Sequence, residues 1–569
     1  MEKQAFIAVV ISILIIILYQ EYMRRFYPPV QQPPARETVT RPQEAAPAPP
    51  VAPKPAPATP VASAEVAKNV PAVPVRDVTV ETPDYIARFT NQGARLKSFR
   101  LKRYRVGVEA DSSLIDMVSH VPGTEYPLGL RLAGTQSGTD QGVVYDVQGP
   151  GLRLQGTELK LDAGQESSLT FSGSTPAGGR IVKMFTFSGS SYAMEVAVSV
   201  AGSAQAPALL FTTHGGSKGV KSDARFEGVI TLRDGDVDRT AAIGGGKPLN
   251  VGSPLSWIGF GYTYFVSALV PADGGEASAR VVSTLSSEQV EAMGGWFSAP
   301  PNLPETVYTL QTRTLGNPTP DGTARYRLFM GPKVLKLLKS FDQGLEESID
   351  FGFFGFISVP MLQALHFFQT YTGNYGLDII LLTLIIKLLL WPLTQKSFVS
   401  MKRMQKLGPQ MQRLKEKFGD DKTRLNKEMM DLYKRNKVNP LGGCLPMLLQ
   451  FPFFIGFYNA LLTPIELRHA SFLWIQDLSR PDWESLPFSA FGYDVGVPVL
   501  VLLMGASMFI QQWMSPTPTV DPNQRRMMMM MPLIFTVIFV SFPSGLTIYW
   551  FVNNLLSILQ QYLINRKER

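Results

Sequence analysis

Lys387 is the residue whose chemistry fits its surroundings least, because it sits inside the apolar run 379–392. An ammonium near the centre of a membrane helix costs roughly 2.5–3.5 kcal/mol to insert, so such a residue faces protein or water. Snorkelling is the alternative. From Lys387 to the cytoplasmic end near Thr394 is about 10 Å at 1.5 Å per residue, a long reach for one side chain. Thr383 lies one turn away on the same face. In the last apolar block Tyr549, Asn553, Ser557 and Gln560 recur at steps of four, four and three, which makes a polar stripe. The stripe could serve interhelical hydrogen bonding alone. Together with Lys387 it could instead line a wet groove reaching into the inner leaflet from the cytoplasm. The chemistry on offer is non-covalent: hydrogen bonds and an attraction for anionic groups.

Templates for covalent or metal chemistry fail position by position. The run Ile243 to Pro248 has Pro248 where a phosphate loop needs Ser or Thr, and Ala241 where its first Gly belongs. Asp234 to Asp238 starts like a calcium loop, but Arg239 replaces the turn Gly and Gly245 the closing Glu. His120, His214, His366 and His469 show no HExxH spacing, and the lone Cys444 excludes an intrachain disulfide and any multi-cysteine metal site. We therefore expect no catalytic residue, no metal, no cofactor and no small-molecule substrate.

The elements that would carry Lys387 and the stripe read as membrane helices. The chain has 569 residues and a formal charge of +8. The charge is not spread as a nucleic-acid surface would spread it. Thirteen Lys or Arg against five Asp or Glu fall between 395 and 438, flanked by apolar runs, which marks a cytoplasmic loop under the positive-inside rule. Spans are expected at about 375–393, 441–462, 495–514, 527–542 and 546–564, the last two separated by Phe542-Pro543-Ser544-Gly545. A retained anchor occupies 1–27, making six spans with both termini cytoplasmic. Residues 28–76 form a Pro/Ala-rich tether. Short β-rich runs broken by Gly, Ser, Asp and Pro then predict a large extracytoplasmic antiparallel β-sandwich, the whole domain being 77–350. Its last part, from Pro332 at a first-turn position, reads as helical. The segment 351–374 reads as an interfacial amphipathic helix with Met361, Leu362, Leu365 and Phe368 on one face; a helix of the soluble domain is the alternative. The fold class is thus a polytopic α-helical membrane protein with six spans and a large β-domain.

Within 395–438, Met401, Met404, Met411, Leu414 and Phe418 share a helical face, a turn follows, and Leu425, Met429 and Leu432 repeat the pattern. This predicts a hairpin held by its own apolar seam. Its Met-rich surface could also meet varied apolar partners, and its basic face anionic lipid or ribosomal RNA.

Three motifs make the reading specific: Asn439-Pro440-Leu441-Gly442-Gly443-Cys444-Leu445-Pro446, Trp391-Pro392-Leu393-Thr394, and Phe542 to Leu546. They resemble the YidC/Oxa/Alb insertase family, and the anchor with its large β-domain resembles the Gram-negative form. The resemblance implies a membrane protein insertase and chaperone of the bacterial inner membrane, with a periplasmic galactose-mutarotase-like sandwich. It implies a groove open to cytoplasm and lipid, with Lys387, Thr383, Tyr549 and Asn553 toward polar client segments. Phe454, Phe535 and Phe539 are the candidate contacts for the client's apolar part, and Gln450 is a further candidate client-binding residue. Implied partners are nascent membrane-protein clients, the Sec translocon, and the ribosome through the basic hairpin. Two departures stand out: the family's groove charge is usually Arg, and the tail after Ile564 is short. A secondary transporter binding an anionic solute at Lys387 is the main rival, although no inverted repeat or matched pair of broken spans supports it. A membrane-anchored sugar-binding protein is a second rival, and it leaves the later spans unexplained.

Overall fold

The computed structural model describes residues 73–118, 125–131, 138–150, 157–175, 178–201, 208–215, 228–240, 249–252, 254–272, 277–283, 306–314, 323–436, 438, 445–462, 464–485, 487–490, 493–514 and 522–567. All fall in one compact unit, Pro71–Arg569. The expected anchor, nearly all of the tether, the run 241–248 and the motif residues 439–444 with Cys444 lie outside the described residues.

Alternation builds the β-region. In the strand Asp77–Glu81, Val78 and Val80 point inward while Asp77, Thr79 and Glu81 stay half-exposed, the period of two expected of a one-sided sheet. Among the described residues the strands form a nine-stranded sheet, two five-stranded ones and, outside the β-region, a two-stranded hairpin of Pro487–Ala490 with Tyr493–Gly496. In one five-stranded sheet Leu114–Asp116, Arg95–Arg105, Tyr85–Thr90, Asp77–Glu81 and Glu158–Lys160 lie side by side. Pairing is antiparallel except between Asp77–Glu81 and Glu158–Lys160, which run parallel. Phe89 of this sheet meets Phe185, Phe187 and Phe171 of the nine-stranded sheet at 4.9, 5.7 and 6.2 Å between ring centres.

A buried charge network ties the same two sheets together. Lys183, on an inward position of the strand Arg180–Ser188, donates to Gly93 O at 2.7 Å and Leu128 O at 2.8 Å. Its Nζ lies 2.6 Å from Asp140 Oδ2, which also accepts from the Tyr145 hydroxyl at 2.9 Å. Arg95 reaches Asp140 at 3.1 Å and Glu125 at 2.9 Å. Lys183 and Asp140 are fully buried, so the pairing and hydrogen bonds must offset a large desolvation cost. Burial still brings the Lys183 ammonium down to about 8, with Asp140 opposing the shift.

Pro332 does not start a helix. It closes the strand Thr323–Pro332 and pairs with Phe265; α1 begins at Leu335 and spans Leu335–Lys339, and a single 3₁₀ turn follows at Leu345–Ser348. A strand end suits Pro because the missing N–H leaves the ladder there. Helix α2, Gly355–Thr372, buries Met361, Leu362 and Leu365 and stops at Gly373, whose φ of 64° fits a left-handed helix end.

Helix α3 is Tyr375–Lys406, longer than the expected span and continuous through Pro392. Nothing between Thr394 and Lys406 breaks a helix; the charges there mark where apolar character stops. The hairpin therefore comprises the end of α3 with α4, Gly408–Phe418, and α5, Lys422–Arg435. Met404, Leu407, Met411, Tyr433 and Val438 form its buried seam, flanked by Met429 and Leu432. Met401 leaves that seam and packs with Phe398 and Ile564.

The remaining helices are α6, Leu445–Leu462, α7, Val499–Met514, α8, Pro522–Phe539, and α9, Ser544–Lys567. Among the described residues one helix, α3, is long and apolar enough by length and composition to cross a membrane; Val499–Met514 and Met527–Phe539 are shorter apolar helices. The helix starts on one side are capped by fixed groups, which sets their relative height. Asn374 accepts from Gly376 N and Leu377 N at the start of α3. Asp482 accepts from Leu500 N at 2.6 Å at the start of α7. Ser544 N and Gly545 N of α9 donate to Arg480 O and Leu478 O, so the loop satisfies donors that the helix itself cannot.

Candidate functional site

Helices α3 and α9 pack together, and their polar residues meet at the contact. Lys387 is 6% exposed. Its Nζ donates to Ser557 Oγ at 2.6 Å and to Asn553 Oδ1 at 3.4 Å. Ser557 Oγ in turn donates to Asn553 O at 2.8 Å, four residues back on its own helix. Among the described residues no carboxylate pairs with Lys387. A full turn and more toward the C-terminal end of α3, Gln560 Nε2 donates to Trp391 O at 3.1 Å and lies 3.0 Å from Thr394 Oγ1. Thr394 and Gln560 thus close the polar contact beside Pro392, which interrupts the hydrogen bonding of α3.

The sequence-predicted residues divide into four settings. Lys387 and Asn553 are brought together, with Ser557 and Gln560 of the same stripe. Tyr549 belongs to the stripe but turns toward α6: it stacks on Phe457 at 4.4 Å and is hydrogen-bonded to Gln450. Thr383 is buried, and its hydroxyl donates at 2.6 Å to Ile379 O on its own helix. That bond removes it from the polar contact between α3 and α9.

Phe454, Phe535 and Phe539 converge on Trp550, with ring centres at 4.9, 5.9 and 5.2 Å. Phe539 is only 2% exposed, and it also stacks on Phe542 at 5.0 Å. Trp550 was not among the expected site residues. It follows Tyr549 directly, and the signal for it was an aromatic beside a polar stripe on the neighbouring side of the helix. A second missed feature is the other polar face of α9: Asn554 Nδ2 donates to Ser507 Oγ of α7 at 3.0 Å. Helix α9 is therefore polar toward both neighbours, and each face finds a partner.

The arrangement offers one fixed cation, two neutral side chains beside it in Ser557 and Asn553, a second polar pair a turn away in Thr394 and Gln560, and an aromatic cluster one face away. In this conformation the polar groups satisfy each other and are buried: Asn553 is 7%, Ser557 3% and Gln560 0% exposed. Apolar surface lies outside them, with Leu502, Ile510, Leu533 and Val537 of α7 and α8 exposed. Among the described residues no group of His, Cys, Asp and Glu could hold a metal ion.

Comparison with known proteins covers the same two regions. A family model described as "60Kd inner membrane protein" matches residues 367–569, and one described as "YidC periplasmic domain" matches residues 77–364. The membrane protein insertase YidC of Syntrophus aciditrophicus is 36% identical across 100% of both chains. That of Geobacter metallireducens is 38% identical over 100% of this chain and 98% of its own. A solved YidC insertase structure with its first transmembrane domain resolved aligns over 85% of this chain and 92% of that one, at 18% identity and a TM-score of 0.37. A superposition that loose carries no argument about the arrangement.

Proposed function

Because the chain belongs to the YidC family of membrane protein insertases, we propose that it inserts integral membrane proteins and helps them fold, using the polar seam between α3 and α9. The family is an inner-membrane one with a periplasmic domain. The observation that carries the reading is Lys387, a cation buried at the seam and held by neutral oxygens of Ser557 and Asn553. A charge without a counter-ion in an apolar setting keeps its capacity to pair with an anionic group. An acidic segment of a client, entering from the cytoplasm, supplies that group, and the seam shortens the path the segment must make through lipid. No covalent step is needed.

The roles of the remaining candidates follow from where they sit. Asn553, with Ser557, holds the ammonium. Gln450 and Tyr549 extend the polar path toward α6, and Thr383 packs the seam. Phe454, Phe535 and Phe539 form the apolar side along which a client span leaves toward lipid. The topology that suits this is six spans with both termini cytoplasmic: an anchor at 1–27, a tether at 28–76, a periplasmic domain at 77–350, an interfacial helix at 351–374 and a five-span core at 375–569. The hairpin at 395–438 faces the cytoplasm, where its basic side meets ribosomes or anionic lipid, and the Sec translocon is a partner for longer clients.

Reconstitution of the purified chain alone into liposomes tests the reading, with a short single-span client offered from the cytoplasmic side. Protease protection of the client is the expected result. Uptake of an anionic solute without client protection would instead establish the transporter.

A further inference from the structure

A second basic site lies far from the seam, where the β-region meets the loop after α6. A cleft of about 220 Å³ there is lined by Arg103 and Arg105 at the end of one strand and by Glu466, Arg468 and His469 of the loop. It adjoins a larger cleft of about 480 Å³, which shares Arg103 and Tyr104 and adds Tyr192 and Leu337.

Arg468 is the built part of this site. It is 9% exposed, and its Nη2 donates to Val106 O at 2.9 Å, which fixes the guanidinium while leaving its fork on the cleft wall. Arg103 lies 3.0 Å from Asp84, and Arg105 donates to Ser112 O at 2.6 Å. Both are thus oriented without losing all their donors. The lining holds three guanidinium groups and one carboxylate, Glu466, whose Oε1 is engaged with His366 Nε2 at 3.1 Å. Asp477 lies behind the loop, 4.0 Å from His469 and 3.7 Å from Arg480. His469 adopts φ 61°, in the left-handed region. For a residue other than glycine that conformation is uncommon and is held by its surroundings. Burial and the adjacent Arg468 lower the His469 pKa, keeping the ring neutral near pH 7.

The height of the cleft is set by α2. His366 of that helix contacts Glu466 on the cleft rim, and Phe356, Phe367 and Tyr371 of α2 are 70, 57 and 76% exposed. Exposed aromatics in such a row belong at the headgroup level of a bilayer. We propose that the cleft between the strand end at Arg103 and Arg105 and the loop at Arg468 binds the phosphate of an anionic phospholipid headgroup from the periplasmic leaflet. Guanidinium forks match phosphate oxygens bidentately. The smaller compartment, lined by the three guanidinium groups, has room for a phosphate with its hydrating water, and the larger one, walled by Tyr104 and Tyr192, takes the glycerol that follows. The inference goes beyond insertion at the seam and uses the proposed topology only to name the leaflet.

The test is amide hydrogen exchange of the full chain in maltoside detergent, titrated with dihexanoyl phosphatidylglycerol. Saturable protection at 103–106 and 464–469 is expected, with apparent affinity falling about tenfold in Arg468→Gln and in Arg103→Gln, the loss of one charge-assisted contact. The second variant matters because Arg103 is 68% exposed, so its substitution leaves folding intact even if the buried Arg468→Gln perturbs it. Unchanged affinity in Arg103→Gln and in folded Arg468→Gln, or protection confined to other segments, would overturn the site. Inorganic phosphate binding as tightly as the lipid would overturn the lipid assignment, and equal competition by hexaglutamate would replace it with an acidic peptide. Detergent solution has no sidedness, so failure here is separate from any failure of insertion or topology.

Discussion

The contact between Lys387 and Ser557 should show as energetic coupling between α3 and α9. Ser557→Ala removes the 2.6 Å acceptor of the Lys387 ammonium and also the bond from Ser557 to Asn553 O, so a single variant cannot isolate the pair. A cycle through Lys387→Met, Ser557→Ala and the double variant cancels the second bond, which Ala lacks in both backgrounds. A hydrogen bond to a charged group contributes about 1.5–3 kcal/mol in water-soluble proteins. Interhelical bonds measured within bilayers average about 0.6 kcal/mol and reach about 1.7, because a helix unpacked in lipid still finds partners. The bilayer range governs here, and charge and burial put this pair at its upper end, at about 1.5 kcal/mol or roughly tenfold. The 3.4 Å contact with Asn553 should couple more weakly, under about 0.5 kcal/mol. Unfolding in mixed micelles with increasing dodecyl sulfate reads both. Coupling of Lys387 to Ser557 within about 0.3 kcal/mol of zero, or weaker than its coupling to Asn553, would refute the assignment.

Lys387→Ala should impair clients with acidic translocated tails and spare uncharged ones, while Lys387→Arg stays near wild type because the charge is kept; equal insertion of both client types by the Ala variant would place Lys387 in helix packing. Reversal of Lys402, Arg403 and Lys406 to Glu should weaken ribosome co-sedimentation more at low than at high salt, since screening already removes the attraction at high salt. The buried Lys183 titrates at about 8 in the folded protein against an ordinary 10.5, so the unfolded chain binds the extra proton between those values. The contribution of Lys183 to stability against urea should therefore rise with pH across that window, and the slope of wild type minus that of Lys183→Met should be positive. A stably expressed chain lacking residues 77–325 should still insert a single-span client, because Lys387, Asn553 and Ser557 lie outside the deletion; complete loss of insertion would contradict this.

What was legible in the sequence was set by period. The stripe at 549, 553, 557 and 560 is one face of a helix wherever that helix goes, and a lysine in an apolar run must meet polar groups. The meeting of the two could be anticipated without knowing the packing. Thr383 shares the face of Lys387, yet its hydroxyl bonds to Ile379 O. A threonine can always choose its own i−4 carbonyl, and spacing does not reveal the choice. Helix α3 runs to Lys406, past the expected span, because hydropathy reports the edge of an apolar run, whereas a helix stops only at a breaker. Lys183 had a usable signal: it alternates with Ile181, Phe185 and Phe187 at buried positions of one strand, which marks an inward lysine in need of partners. The cleft at Arg468 had none, since Val106 and Arg468 are 362 residues apart and only tertiary folding joins them.

The seam is closed in this structure, and the energies indicate what opens it. Parting α3 from α9 forfeits the bonds of Lys387 and Gln560, roughly 3 kcal/mol at bilayer values. An uncharged polar segment replaces those bonds with others of the same strength and so gains little over lipid-exposed passage. A carboxylate about 4 Å from the ammonium gains roughly 4 kcal/mol at an effective dielectric of 20, comparable to the roughly 2.5–3.5 kcal/mol that the same carboxylate costs at the centre of a helix in lipid. The exchange is then close to balanced for acidic segments, which is what a site must be if it is to receive a segment and release it. A counter-ion built into the protein beside Lys387 would abolish that balance, and Ser557 and Asn553 are suited to the place because they hold the charge without neutralising it.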